Sequence, residues 1–318
     1  MQNSNKVLQC IGIPYSALLS IIFGMMILSF PLGAYVMFHS DLGDDINFKF
    51  PLPQFEFFSI GDVFVIIWIV YILLFTIAML GPKEGFLKNL SSLMSMGKLN
   101  TQTNSMVSVT KWFSILILAS AVVTFIQEGF GISTTPPPAE NNLVQFFYVS
   151  LAPIAEEFGF RLLLIGIPLY AFYSHKTSGK HFFKSLWSPS QYLHIFETKK
   201  PFILILIVAV FFGLAHIISG EPWSGGKFAQ ATISGLILGW LYFRFGIIPA
   251  ILVHWATNYF IFSYVHFIGQ LNSISVESAF SHPLIGTMEI IFLISGILSI
   301  TVVLINYFDS KRKKILDV

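Results

Sequence analysis

The residues of this chain that could do chemistry are charged and polar side chains set within long apolar segments. They fall in three of these segments and are Glu156, Glu157, Arg161, His216, His254 and Asn258. A charge at the centre of a bilayer costs about 2.5–3.5 kcal/mol on insertion scales. Because such side chains do not help to anchor a helix, their presence predicts a functional site inside the membrane.

Local spacing separates the roles of the two adjacent carboxylates. On an α-helix, residues four apart lie nearly above one another, so Glu157 and Arg161 can form an ion pair. Glu156 points about 100° away around the helix axis and has no such local partner. We therefore expect Glu157 to neutralise Arg161, and we expect Glu156 to be the carboxylate that could act as a general base on water.

The other two segments carry imidazoles at helical spacing. Phe212 and His216 share one helix face, and the small residue Gly213 between them permits close approach of a neighbouring helix. His254 and Asn258 are again four apart. An imidazole and an amide side by side could donate two hydrogen bonds to one oxygen, as an oxyanion site requires.

The composition indicates an integral membrane protein. Of the 318 residues, 55% are hydrophobic and only 11% are charged, whereas soluble domains carry about 25% charged residues. The net charge is only +2 and no basic stripe is present, which argues against a nucleic-acid partner. The single cysteine, Cys10, excludes an intramolecular disulfide and a metal cluster with several cysteine ligands.

Apolar runs of about 20 residues predict membrane helices. Eight are predicted, at 11–38, 60–81, 110–130, 144–172, 201–219, 229–245, 248–266 and 285–308. The predicted fold class is an all-α integral membrane protein, a bundle of about eight transmembrane helices. Pro153 and Pro168 predict a kink or a tilt in the fourth helix, and the polar segment 173–200 is predicted to form short surface helices.

The loops predict an orientation. Lysines are concentrated between the second and third helices, between the fourth and fifth, and, with an arginine, in the C-terminal tail. The remaining loops carry acidic residues and few basic ones. Because lysine and arginine prefer the cytoplasmic side, both termini are predicted to be cytoplasmic, which agrees with an even number of helices.

Three motifs occur in order and carry a family resemblance: Glu-Glu-x-x-x-Arg at 156–161, Phe-x-x-x-His at 212–216 and His-x-x-x-Asn at 254–258. They resemble the CPBP family of intramembrane proteases, which includes the type II CAAX prenyl endopeptidases and the Abi proteins of bacteriocin processing and immunity. The resemblance covers about 144–266.

The resemblance implies a division of the chain and a role for each motif residue. The predicted parts are 1–143 with membrane helices 1–3, a catalytic core at 144–266, and the last helix with a basic tail at 267–318. Glu156 would activate the hydrolytic water with help from His216, while His254 and Asn258 would stabilise the oxyanion. The supporting residues would be Glu157, Arg161 and Phe212.

Two mechanisms are open for such a protein, because the family has been described both as glutamate proteases and as metalloproteases. Zinc, if bound, would be held by Glu156, His216 and His254, with one position left for water. There is no HExxH motif, and the nearby Arg161 would oppose a cation. We therefore expect a glutamate-type enzyme without a cofactor, with a zinc enzyme as the alternative.

The expected function is hydrolysis of a peptide bond in a lipidated or membrane-associated peptide or protein, in the plasma membrane of a prokaryote and in contact with its lipids. One alternative is a non-catalytic binding or immunity protein on the same scaffold. Another is a proton-coupled transporter, which also buries ionisable residues, although the sequence has no inverted repeat. Taken singly, the histidines and the Glu157–Arg161 pair could also be structural.

Simple counting along the helices leaves one difficulty. It puts Glu156 in mid-membrane, His216 near the outer end of its helix and His254 nearer the inner end of another. A catalytic centre requires all three within a few ångströms, so helix tilt or different helix boundaries must bring them together.

Overall fold

The computed structural model describes residues 6–39, 59–96, 104–134, 141–218 and 224–316. Within these ranges the chain is mostly helical and forms no strand, which confirms the predicted all-α class. In chain order, the α-helices are α1 Lys6–Phe38, α2 Ile60–Leu80, α3 Phe86–Met96, α4 Ser105–Gly129, α5 Asn142–Glu156, α6 Ile167–Tyr173, α7 Gly179–Trp187, α8 Pro189–Tyr192, α9 Lys199–Ile218, α10 Lys227–Phe245, α11 Ile247–Trp255, α12 Ile261–Asn272, α13 Val276–Phe280 and α14 Pro283–Leu316.

Six helical segments among the described residues are long and apolar enough to cross a membrane. They are Cys10–Phe38, Ile60–Leu80, Ser105–Gly129, Lys199–Ile218, Ile247–Asn272 and Pro283–Phe308. Each of the eight predicted membrane helices has a helical counterpart. The two outside the group of six are the segment from α5 to α6 and helix α10, in which charged and polar side chains interrupt the apolar pattern.

The helix that carries the acidic motif is not α-helical throughout. Between α5 and α6, residues Glu157–Gly166 form a π-helix, in which the N–H of Ile167 donates to the carbonyl of Leu162. A second π-helical segment, Ala256–Phe260, joins α11 to α12. Short π-helical turns occur frequently at functional sites, and here both segments carry motif residues.

Close packing of α9 against α10 forms an antiparallel hairpin. A Cβ atom at Gly213 would lie 2.8 Å from the Phe228 carbonyl oxygen, and one at Gly235 would lie 3.1 Å from the Ala209 Cα. Both positions therefore need glycine, because a larger residue would push the two helices apart. The predicted role of Gly213 in close helix approach is confirmed.

An aromatic cluster supports the other side of the site. The Trp255 side chain is fully buried, and its ring stacks on Phe30 of α1 at 5.2 Å and on Tyr259 at 5.7 Å between centroids. Tyr71 of α2 lies against the rings of Trp255 and Tyr259 and donates a hydrogen bond to the Ser150 carbonyl at 2.7 Å. The N-terminal helices thus pack directly against the helices that carry the motifs.

The segment predicted to contain short surface helices does contain them, since α7 and α8 lie within 173–200. The Tyr242 hydroxyl of α10 donates to the Leu186 carbonyl of α7 at 2.8 Å. This contact fixes the segment at the end of the α9–α10 hairpin opposite Lys227.

Candidate active site

Side chains from five continuous helices meet at one cavity of about 690 Å³; these are α4, α5 with the π-helix after it, α9, α10, and α11 and α12 with the π-helix between them. The sequence-predicted residues that line it are Glu156, Phe212, His216, His254 and Asn258. The difficulty raised by counting is thereby resolved. His216 lies near the end of α9 and Lys227 begins α10, and both line the cavity, so this end of the hairpin lies at the level of the site.

The predicted ion pair is present at the base of the site. Arg161 Nε lies 3.0 Å from Glu157 Oε2, and both residues are fully buried. The Arg161 guanidinium carbon also lies 4.7 Å from the centre of the Phe212 ring. A buried charge needs a partner to offset its desolvation. Here the carboxylate faces Nε and the Phe212 ring covers the guanidinium carbon, while Nη1 and Nη2 have no hydrogen-bond partner among the described residues.

Glu157 has a second partner on another helix. Its Oε1 atom lies 2.9 Å from His254 Nδ1. An ionised carboxylate only accepts hydrogen bonds, so Nδ1 of His254 carries the hydrogen and donates it. This contact fixes the ring orientation and leaves Nε2 as the ring atom nearest the other carboxylate, 3.7 Å from Glu156 Oε2.

Glu156 differs from Glu157 in its exposure and in lining the cavity. Its side chain is 29% exposed whereas that of Glu157 is not exposed. Its Oε2 atom has no hydrogen-bond partner among the described residues, and 3.7 Å to His254 is too long for a direct hydrogen bond. Glu156 thus lines the cavity, and its buried Oε2 atom lies beside His254 Nε2.

The orientation of His216 is set by its own helix. Its Nδ1 atom lies 2.8 Å from the Phe212 carbonyl oxygen, and since a carbonyl can only accept, Nδ1 carries the hydrogen. In the neutral ring the lone pair is therefore on Nε2. Both site histidines hold Nδ1–H in a hydrogen bond, so each neutral ring has Nε2 as its proton acceptor.

Asn258 lines the same cavity as His254, as their spacing predicted. Between them, the Thr257 hydroxyl lies 2.8 Å from the His254 carbonyl oxygen and 3.2 Å from Asn258 Oδ1. When Oδ1 faces Thr257, the amide nitrogen of Asn258 is the end of the side chain that can donate to a ligand. Thr257 had no signal in the sequence analysis beyond its place between the two motif residues.

A metal centre is not formed by the side chains as they stand. Among the described residues, no three histidine, cysteine, aspartate or glutamate side chains are grouped so that they could hold a metal ion. The donors of the zinc alternative, Glu156, His216 and His254, share the cavity without reaching coordination geometry.

Sequence reasoning missed the contribution of α10. Lys227, Gln230 and Ser234 line the cavity together with Ala231 and Leu238. These positions recur at the spacing of one helix face. Three polar residues at that spacing in an otherwise apolar segment were the signal that could have revealed them.

The cavity lies in a bundle of apolar helices and is lined by a carboxylate, two imidazoles and an amide. This set of groups is typical of a hydrolytic site within a membrane. The comparison with known families agrees with this class. A family model described as "Type II CAAX prenyl endopeptidase Rce1-like" matches residues 138–260. The matched segment contains all three motifs, and the match supports their resemblance to the CPBP family of membrane proteases. No curated protein and no solved structure gives a significant match.

Proposed function

We propose that this integral membrane protein is an endopeptidase that hydrolyses a peptide bond of a lipidated or membrane-associated substrate with water activated by Glu156. The observation that carries the proposal is the position of Glu156, which lines the cavity with Oε2 3.7 Å from His254 Nε2. His216 and Asn258 line the same cavity. A water molecule that bridges carboxylate and imidazole would be well placed to attack a carbonyl carbon.

Water and the side chains that line the cavity account for every bond and proton in the hydrolysis. Glu156 takes a proton from water, the hydroxide oxygen bonds to the scissile carbonyl carbon, and the carbonyl electron pair moves to its oxygen. When this intermediate collapses, the C–N bond breaks and the proton held by Glu156 passes to the leaving amine nitrogen. His216 assists through Nε2, the atom that can accept a proton while Nδ1–H remains bonded to the Phe212 carbonyl.

The oxyanion is stabilised by Asn258 and His254, and the two donors have different requirements. The amide nitrogen of Asn258 donates in any protonation state of the site. His254 already donates through Nδ1 to Glu157, so Nε2 donates only when the ring carries a second proton. Glu156 lies beside Nε2 and could share with it the proton taken from water, until that same proton passes to the leaving amine nitrogen.

Glu157, Arg161 and Phe212 have a positioning role in this scheme. Glu157 orients His254, Arg161 neutralises Glu157, and Phe212 covers the guanidinium while its carbonyl oxygen orients His216. Groups held by partners that are themselves fixed need no reorganisation as charge develops on the substrate.

The proposal includes a topology of eight crossings with both termini cytoplasmic, in the plasma membrane of a prokaryote. The concentration of basic residues in alternate loops supports it. Under this topology, the ends of α9 and α10 that line the cavity point away from the cytoplasm.

The test is proteolysis by the purified full-length protein in detergent, with fluorogenic peptides that carry either a lipid group or an apolar membrane segment. We expect cleavage of at least one peptide class and an unchanged rate after treatment with a zinc chelator. Loss of activity on chelation, with recovery on adding zinc, would replace the glutamate mechanism by the zinc alternative. Failure to cleave any peptide would count against the endopeptidase and favour a non-catalytic protein.

Asn258→Ala is expected to lower kcat about 10²–10³-fold with little change in KM, since an oxyanion donor acts mainly in the transition state. The measurement is steady-state kinetics on the best peptide of the panel. Ser120→Ala is a suitable control, because Ser120 also lines the cavity but lies on α4, outside the motifs. A rise in KM with unchanged kcat in Asn258→Ala would contradict the oxyanion role.

A further inference from the structure

The cavity contains a cation that the reaction above does not use. Lys227 is the one lysine or arginine among the described residues that line it, and it is half-buried at the first position of α10. It lies within electrostatic range of both Glu156 and His216. The positive charge of Lys227 therefore acts on the groups at the position where the peptide bond would be cleaved.

The hairpin register gives the position of Lys227 along the site. Gly235 lies against Ala209, and Gly239 lies against Ile205. Continuing this antiparallel register toward the end of the hairpin brings His216 level with Phe228, the residue next to Lys227. A helix rises about 1.5 Å per residue, so Lys227 and His216 are at nearly the same depth.

The backbone that carries Lys227 is held in place by α4 and the residues that follow it. Gln127 Nε2 donates to the Gly226 carbonyl at 2.8 Å, and the Ser224 hydroxyl donates to the Ser133 carbonyl at 3.1 Å. A Cβ atom at Gly226 would lie 2.9 Å from the Ser133 carbonyl carbon. The backbone of the first turn of α10 is thus held against α4 and the residues after it, beside the cavity.

The Lys227 side chain is paired with an amide on the same helix face. Its Nζ atom donates to Gln230 Oε1 at 2.9 Å. Because Gln230 accepts through Oε1, its Nε2 is the donor end of the same amide. An ammonium and an amide N–H one helical turn apart form a donor pair that suits a carboxylate, and hydrogen bonds to charged groups are the stronger ones.

Farther along this face of α10 the lining residues are uncharged and are Ala231, Ser234 and Leu238. Leu116 and Ile117 of α4 line the cavity opposite. A substrate that lies along the cavity therefore meets a cation and an amide at Lys227 and Gln230, and uncharged side chains farther along α10 and on α4. The positive-inside preference does not account for Lys227, because under the proposed topology α10 begins on the non-cytoplasmic side.

We propose that Lys227, together with Gln230, determines specificity by binding a carboxylate of the peptide substrate within a few residues of the scissile bond. This proposal rests on the proposed endopeptidase function. The carboxylate is either the C-terminus of the substrate or the side chain of an acidic residue near the cleaved bond, and both offer the same two oxygens to the same donors.

Four peptides that share one membrane segment and one cleavage site test the proposal. The first ends in a free carboxylate and the second in a carboxamide. The third and fourth are carboxamides with Glu or Gln after the cleavage site. We expect the full-length protein to have a kcat/KM about 10- to 100-fold higher for a carboxylate peptide than for its neutral partner, mainly through KM. The pair that shows this ratio identifies the source of the carboxylate.

Variants of Lys227 connect that ratio to the residue. Lys227→Met is expected to reduce the ratio to about one, and Lys227→Arg is expected to keep most of it. Lys88→Met is the matched control, because Lys88 is an exposed lysine of α3 paired with Glu84 outside the cavity, and it should leave the ratio unchanged. A parent ratio near one in both pairs, or a ratio that survives in Lys227→Met, would overturn the proposal.

Binding separates this proposal from the proposed function. The same four peptides, labelled with a fluorophore, are titrated with the Glu156→Gln variant and followed by anisotropy. Tighter binding of a carboxylate peptide than of its neutral partner supports the role of Lys227 even if no peptide is cleaved. Equal binding within both pairs overturns it, whatever the result of the cleavage assay.

Discussion

Glu156→Gln is expected to lower peptide cleavage by at least about 100-fold while the protein remains folded. A positioned general base contributes about 10²–10⁴-fold, and glutamine cannot take a proton from water. The substitution keeps the shape of the side chain, and Glu156 has no hydrogen bond through Oε2 within the described structure that the change would break. The measurement is kcat/KM on the best peptide, with Tm in detergent recorded for both proteins.

Glu289→Gln provides the matched control for that loss. Glu289 is also a glutamate of a membrane helix, α14, but it is exposed and does not line the cavity. We expect its activity and Tm to equal those of the parent. Residual cleavage by Glu156→Gln at more than a tenth of the parent rate would remove Glu156 as the base and leave the site without its proposed nucleophile activation.

Arg161→Ala is expected to be the most destabilising change in the site. It would leave Glu157 as a fully buried carboxylate without its cationic partner, and breaking a buried ion pair in this way costs about 3–5 kcal/mol. The contact with the Phe212 face would be lost as well. We expect a lower Tm in detergent and a smaller yield of monodisperse protein on size-exclusion chromatography.

Two comparisons make that expectation specific. Arg244→Ala makes the same chemical change at an exposed position near the end of α10, and it should leave the Tm unchanged. The double change Glu157→Gln with Arg161→Met removes both charges and should recover much of the stability, because a buried pair replaced by neutral groups need not be destabilising. The double variant should remain poorly active, since His254 loses the carboxylate that orients it. An unchanged Tm in Arg161→Ala would show that the ion pair does not stabilise the fold.

Much of the fold was predictable because membrane helices depend on local composition. Every predicted apolar segment became a helix, and α9 was predicted to within a few residues at both ends. The boundaries were less accurate where the chain leaves α-helical geometry. The predicted helix 144–172 is divided by the π-helical segment Glu157–Gly166. A pattern of apolar residues does not show whether a backbone N–H donates to the carbonyl four or five residues earlier.

Some contacts of the site were likewise predictable from the local sequence, whereas others depend on the tertiary structure. The sequence by itself determined the Glu157–Arg161 pair and the shared face of His254 and Asn258, because residues four apart on a helix are neighbours whatever surrounds them. Only the tertiary structure decided that Glu157 also holds His254, a residue 97 positions away, and that Lys227 enters the cavity. Such contacts follow from the register and depth at which helices pack, which Gly213 and Gly235 set through close approach. Packing of this kind is a property of two surfaces together and is not encoded in the periodicity of either one.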